Sequence, residues 1–273
     1  MSAGSFLLLL AGGVATGTIG AMLGLGGGVF LTPFLVLVFN LPMHQAIATS
    51  ILAVIATSSA GAAMNVEREI VNLRLGMVLE VATVAGAIVG GLTANMLSGD
   101  VLSRIFAVLL LCVSFMMIWR MTHSRALSTP LDAGAFPASF KDEASGNVVS
   151  YSVARVPWVL VISLIAGNIS GLLGVGGGIF KVPAMNIIAG IPIKAATATS
   201  NFMIGVTAAA SAFIYFSHGH LNPVIASSAA LGVLAGSFLG VRINRRIHGT
   251  SLTWIFAAVL LLVSLKLFWY HGH

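Results

Sequence analysis

The chain has 273 residues, of which 58% are hydrophobic and only 7% charged, with a mean hydropathy of +1.04. Soluble domains carry about 25% charged residues, so this material cannot make a water-soluble surface and instead describes an integral membrane protein. The net charge of +6 does not mark a nucleic-acid binder: the basic residues stand at loop ends rather than in stripes interleaved with aromatics.

In chain order, the apolar segments fall at about 5–23, 28–40, 44–64, 74–97 and 101–120, then at about 157–173, 178–190, 194–217, 222–243 and 251–269. Phe6 to Leu10 lacks the basic start of a signal peptide, so the first segment is expected to be part of the fold. The second segment of each set is short: about 12 residues at 1.5 Å rise reach only about 18 Å, less than a bilayer core. Each short segment opens on a glycine run and closes at Pro42 or Pro192. This pattern reads as a discontinuous or re-entrant helix. Residues 122–155, with Pro130, Pro137, Lys141, Asp142 and Glu143, read as a polar cytoplasmic linker. The chain thus divides into a first transmembrane repeat (1–121), the linker (122–155) and a second repeat (156–273).

The two sets are copies. Gly24 and Gly174, Pro33 and Pro183, Pro42 and Pro192, and Ser50 and Ser200 are each 150 residues apart. The same offset pairs Asn72 with Asn222, Gly99 with Gly249 and Trp119 with Trp269. Loop charge indicates how the copies face. Residues 65–74 hold Arg68 and Arg74 while 215–224 hold no Lys or Arg; residues 92–100 hold none while 242–249 hold Arg242, Arg245 and Arg246. Opposite basic content in matching loops is what inverted repeats require. The expected fold is therefore all-α, with two homologous halves of five segments in inverted orientation and both termini outside. Four crossings per half in parallel copies is the competing arrangement.

Several residues stand out inside the apolar segments. Gly26, Gly27 and Gly28, and their copies Gly176, Gly177 and Gly178, can adopt backbone conformations closed to other residues and leave N–H groups uncovered. The helix starting after each run adds its N-terminal partial positive charge. Two such ends brought together would cradle an anion; the alternative is that the glycines only permit close packing. No Lys-Ser/Thr ending follows either run, so neither is a nucleotide-binding P-loop. Thr49 and Ser50 match Thr199 and Ser200, with Asn201 added in the second copy, and these polar groups can face a cavity or bond the preceding helical turn. Lys181, where the first copy has Leu31, places a cation at membrane depth unless it snorkels to the interface. Glu80 is expected to pair with Arg74, with a proton-carrying role as the alternative. Gly86-x-x-x-Gly90 and Gly232-x-x-x-Gly236-x-x-x-Gly240 have helix-packing spacing. His44 is expected to be solvated, Cys112 to be plain packing in its apolar run, and His218-x-His220 lacks the further ligands a metal site needs. No catalytic constellation, cofactor motif or metal site is evident, which argues against an enzyme.

At Gly24-Leu-Gly-Gly-Gly-x-x-x-x-Pro33, Gly174-Val-Gly-Gly-Gly-x-x-x-x-Pro183 and the Pro-x-x-x-Ala-x-Ala-Thr-Ser stretches after each, the chain resembles the sulfite exporter TauE/SafE family. The resemblance spans nearly everything but the linker. It implies a multi-pass carrier of the prokaryotic inner membrane, with the lipid bilayer and a small anion such as sulfite or an organosulfonate as partners, transport being generally outward. It adds weight to Gly26–Gly28, Gly176–Gly178, Thr49, Ser50, Thr199, Ser200, Asn201 and Lys181 as substrate-binding residues. The family pattern does not require Lys at position 181. An anion channel or a non-transporting scaffold remains the alternative function, and a homo-oligomer is compatible with a sequence that does not set stoichiometry.

Overall fold

A computed structural model describes residues 3–23, 26–122, 134–141, 146–244 and 249–269. The first half contains α1 (Ala3–Leu23), α2 (Gly28–Phe39), α3 (Met43–Glu67), α4 (Leu73–Met96) and α5 (Gly99–Thr122). The second contains α6 (Val156–Leu173), α7 (Gly178–Pro183) running into a π-helical turn (Ala184–Ile188), α8 (Ile193–Ser217), α9 (Pro223–Asn244) and α10 (Gly249–Trp269). Every expected segment is a helix within a few residues of its expected ends. Among the described residues, seven helices are long and apolar enough to cross a membrane, and Gly28–Phe39 and Gly178–Ile188 are shorter apolar pieces. The protein is multi-pass and almost wholly helical.

The copies diverge just after the shared proline. Pro33 lies inside α2, whereas beyond Pro183 the chain widens into the π turn, closed by Ala189 N–H donating to the Ala184 carbonyl. A proline has no N–H for the carbonyl four residues back, and a π turn is one way to absorb that loss.

Packing follows the rule that apolar chains gain nothing from each other inside lipid. Large apolar side chains such as Val81, Phe115, Phe213 and Leu262 stand on the perimeter, while Thr32, Ser50, Thr83, Thr199 and Thr207 are fully buried. Contact between helices is made by glycine instead. A methyl group at Gly86 would overlap the Leu164 carbonyl, one at Gly90 the Asn168 carbonyl, and one at Gly236 the Val14 carbonyl. Along α1 and α9, contacts step from Gly13–Gly232 to Thr18–Gly240, so these helices run parallel. α4 and α6 do the same, from Thr83–Gly167 to Ala87–Gly171.

α5 and α10 are copies of each other and lie in contact. Ser114 Oγ donates to the Ala257 carbonyl (2.9 Å) and Ser264 Oγ to the Ala107 carbonyl (2.7 Å). Each bond is the other shifted by the 150-residue offset, and the rising number on one helix meets the falling number on the other. The two helices are antiparallel.

The linker is more than a solvated tether. It forms an antiparallel hairpin of β1 (Ala135–Lys141) and β2 (Val148–Val153). Phe140, Tyr151 and Val153 are buried in a cluster with Leu75, Val159, Met185 and Ala195. Asn72 anchors it: its Nδ2 donates to the Phe136 carbonyl (3.1 Å), while its Oδ1 caps α4 by accepting from Leu75 N–H.

Candidate functional site

The two glycine breaks meet. A Cβ at Gly28 would sit 2.7 Å from the Gly174 carbonyl and 3.7 Å from Val175 Cα. Gly26 and Gly27 have φ of 73° and 76°, and Gly176 and Gly177 have 81° and 68°. Two successive left-handed residues explain why the motif needs glycine.

Within each run the glycines face different neighbours. Gly27 abuts the backbone of Gly20 and Gly17 on α1, and Gly177 abuts Ala166 and Ser170 on α6, so the central glycine allows close approach. The outer glycines face the long helices: Gly26 and Gly28 meet Val54 of α3, and Gly176 and Gly178 meet Ile204 of α8. Val54 and Ile204 are themselves copies. Apolar side chains therefore occupy the inner faces of both loops, in place of a symmetric polar hollow.

A polar space lies beside the first loop. A cavity of about 70 Å³ is lined by Gly20, Gly26, Thr57, Ser58, Asn201 and Ser237, among others. At roughly 15 Å³ per water it has room for several waters or one small oxyanion. Thr57 Oγ1 donates within reach of the Gly26 carbonyl (3.1 Å), Ser58 Oγ donates to the Val54 carbonyl (2.6 Å), and Ser237 Oγ to the Leu234 carbonyl (2.7 Å). The half-buried Asn201 amide has no hydrogen bond to any described residue. Thr57, Ser58 and Ser237 were not singled out in the sequence; the 150-residue copy of Thr57, Thr207, was the available signal.

The remaining sequence candidates separate into spent and unspent groups. Ser50 Oγ accepts from Thr32 Oγ1 at 2.8 Å, and Thr199 Oγ1 accepts from Asn72 N–H at 3.0 Å. Thr49 is buried beside them. Ser200 Oγ is buried with no hydrogen-bond partner, and it lies 3.3 Å from the Cβ position of Gly178. The asymmetry has a sequence cause: Thr32, which serves Ser50, is replaced by Val182 in the second copy.

Lys181 does not snorkel. It is 1% exposed, its Nζ donates to Thr207 Oγ1 (3.3 Å) and lies 4.0 Å from Glu80 Oε2. Thr207 Oγ1 in turn donates to Glu80 Oε1 at 2.6 Å. Glu80 thus pairs across helices with Lys181 rather than with Arg74 on its own. Its side chain points into the bundle, whereas Arg74 sits exposed in the first turn of α4.

Elsewhere, Asn186 Nδ2 donates to the Ile191 carbonyl at 2.8 Å and shapes the turn after the π segment. Cys112 lies exposed on α5. His44 is also not simply solvated. Its Nε2 lies 3.0 Å from the Ala94 carbonyl, and its ring stacks on His220 at 4.8 Å between centroids. Among the described residues no group of three His, Cys, Asp or Glu side chains is placed to hold a metal.

The sequence pattern described as Sulfite exporter TauE/SafE matches residues 9–267. The chain is 26% identical to the "Probable membrane transporter protein YunE" of Bacillus subtilis (strain 168), over 96% of this chain and 97% of that protein. It is 22% identical to the "Probable membrane transporter protein YdhB" of the same strain, over 84% and 85% of the two chains. It is 23% identical to the "Probable membrane transporter protein MamO" of Paramagnetospirillum magneticum, over 96% of this chain and 44% of that longer one. No solved structure matches. Ten helical segments in two copies, two glycine breaks in contact and a match over nearly the full length agree: the chain belongs to the sulfite exporter TauE/SafE family of membrane transporters.

Proposed function

We propose that this transporter exports a small anion of the sulfite or organosulfonate class across the cytoplasmic membrane, receiving it in the cavity beside the first glycine loop. The observation that carries this reading is the Asn201 amide, unpaired in a cavity that Gly26 also lines. Its N–H groups are donors to one small space with no charged side chain among its lining residues, two residues from the start of α2 at Gly28. Oxygens around a single sulfur accept several convergent hydrogen bonds, so neutral donors suffice. Thr57, Ser58 and Ser237 join by turning their hydroxyl hydrogens from helix carbonyls to the anion.

The α5–α10 pairing supports inverted repeats. A two-fold axis relating two antiparallel helices lies perpendicular to both, which for spanning helices means in the membrane plane. Transport then proceeds by one half rocking against the other around the joined glycine breaks. An interior-negative potential drives each negative charge outward with about 2.3 kcal/mol per 100 mV, so no nucleotide site is required.

The test uses the full chain in proteoliposomes loaded with sulfite, sulfoacetate or a carboxylate control. Saturable flux with counterflow is expected for the sulfur anions; saturable flux without counterflow points to a channel, and no flux to a scaffold. Asn201→Ile, which installs the residue found at Ile51 in the other copy, is expected to cut sulfur-anion flux at least tenfold while the protein stays folded.

A further inference from the structure

The buried pair Lys181–Glu80 is incomplete as a structural ion pair. An ammonium carries three N–H donors and a carboxylate two oxygens, and a closed pair brings them to about 2.8 Å. Here the separation is 4.0 Å, and Glu80 Oε2 has no hydrogen-bond partner although it is buried. Of the ammonium's donors, one bond is made, to Thr207. The Lys181 arm passes beneath the second glycine loop, its Cε lying 3.1 Å from the Cβ position of Gly177. Ser200, one residue before the cavity-lining Asn201, supplies another buried group without a partner beside Gly178. In a state that opens this junction, an anion would meet the unused donors of the ammonium and the serine hydroxyl.

We propose that Glu80 is a proton-binding site coupled to occupancy of the glycine-loop junction, a reading that rests on the anion transport proposed above. The anion and the Glu80 carboxylate compete for the single positive charge of Lys181. When the anion takes the ammonium, Glu80 becomes an unpaired carboxylate inside the bundle, and it binds one proton from water on the open side of the carrier. The new O–H bond forms at Oε2, the oxygen now without a partner, while Oε1 continues to accept from Thr207. When the anion leaves, Lys181 returns to Glu80 and the proton departs to solvent. A monoanion then moves without net charge, whereas a dianion still moves one negative charge and remains driven outward by the potential.

The surroundings isolate this exchange. α6 carries no titratable side chain from Val156 to Leu173, α8 carries only Lys194 and Tyr215 near its ends, and α4 otherwise has only Arg74 in its first turn. α7 contributes Lys181 alone. The 150-residue counterparts of Lys181 and Glu80 are Leu31 and Ala230, so the repeat does not duplicate the pair.

The experiment measures proton uptake on anion binding by the full-length protein in detergent, with methanesulfonate as probe because it does not itself titrate near neutral pH. Calorimetry in buffers of different ionisation enthalpy reports the stoichiometry. Wild type is expected to take up about one proton per anion, with affinity rising up to about tenfold for each pH unit lowered. Glu80→Gln keeps the acceptor for Thr207 and is expected to bind without proton uptake and without pH dependence. Anion binding by wild type with no proton uptake overturns the coupling alone, and this measurement needs no variant. Unchanged proton uptake in Glu80→Gln also overturns it. Failure of methanesulfonate, sulfite and sulfoacetate all to bind overturns the transport reading together with the coupling.

Discussion

Ser50 and Ser200 occupy the same place in the two copies, yet replacing each with Ala should move stability in opposite directions. Ser50 Oγ accepts from Thr32 Oγ1 at 2.8 Å, and both residues are fully buried. Ser50→Ala leaves the Thr32 hydroxyl without its partner, a loss of about 1–3 kcal/mol. Ser200 Oγ already lacks a partner, so the folded protein carries a desolvation penalty of about 1–3 kcal/mol there. Ser200→Ala removes that penalty and leaves a space one oxygen wide, which returns less than about 1 kcal/mol. The difference between the two variants should therefore be at least about 1 kcal/mol, with Ser200→Ala at or above wild type. Thermal unfolding of the purified protein in detergent reads the order directly. On the proposed role of Ser200 as an anion donor, methanesulfonate should stabilise wild type more than Ser200→Ala. Equal destabilisation by both alanines would show that Ser200 makes a stabilising hydrogen bond, and would remove it from the binding site.

Three further outcomes are expected. Gly86→Ala drives a methyl group into the Leu164 carbonyl and should abolish folded protein on size-exclusion chromatography, while Gly99→Ala, whose new methyl meets only Met43 Cβ at 3.8 Å, should be recovered normally. Asn72→Ala removes the cap on Leu75 N–H and the bond to the Phe136 carbonyl; it should cost about 1–2 kcal/mol and speed proteolysis at the β1–β2 hairpin. His220, in the loop after α8, is held below the ordinary histidine value of 6.5 by burial first and then by the charges of His44 and His218. The unfolded chain therefore binds more protons, and stability present above about pH 6.5 is lost as pH falls through the folded value; His220→Gln should remove that part of the slope in melting temperature against pH.

The fold was legible because its rules act locally. Hydropathy, the glycine runs and the prolines mark every helix within a few residues, and the repeat offset identifies equivalent positions without any structure. The packing glycines on α4 and α9 were also readable, but not their partners: α4 meets α6 and α9 meets α1, helices far away in sequence. Glu80 and Lys181 were missed as a pair for the same reason, being 101 residues apart, with Arg74 a nearer decoy. The hairpin is not legible in the sequence because Pro137 interrupts Ala135–Lys141 inside a segment rich in polar residues, and its burial depends on a surface assembled by α4, α6 and α8. The inner faces of the glycine loops were filled by Val54 and Ile204, ordinary core residues by sequence. A cradle inferred from backbone chemistry says nothing about which side chains a neighbouring helix will lay across it.

The differences between the copies bear on mechanism more than their shared motifs do. If the repeats are inverted as proposed, each half can adopt the conformation of the other, and a residue common to both serves both access states equally. Thr57 and Thr207 are such a pair, one beside the open cavity and the other between Lys181 and Glu80. Leu31 against Lys181, Ala230 against Glu80, and Ile51 against Asn201 are not interchangeable. On that proposal, an exchange of shapes closes the cavity now beside Thr57 and opens its counterpart beside Thr207, where the charged pair lies. The two access states thus present chemically different surfaces to the same anion: neutral donors on one side, an ammonium held by a titratable acid on the other. Because the proposed proton enters with the anion and leaves with it, acidifying the loading side of a proteoliposome should raise flux, and acidifying the receiving side should lower it.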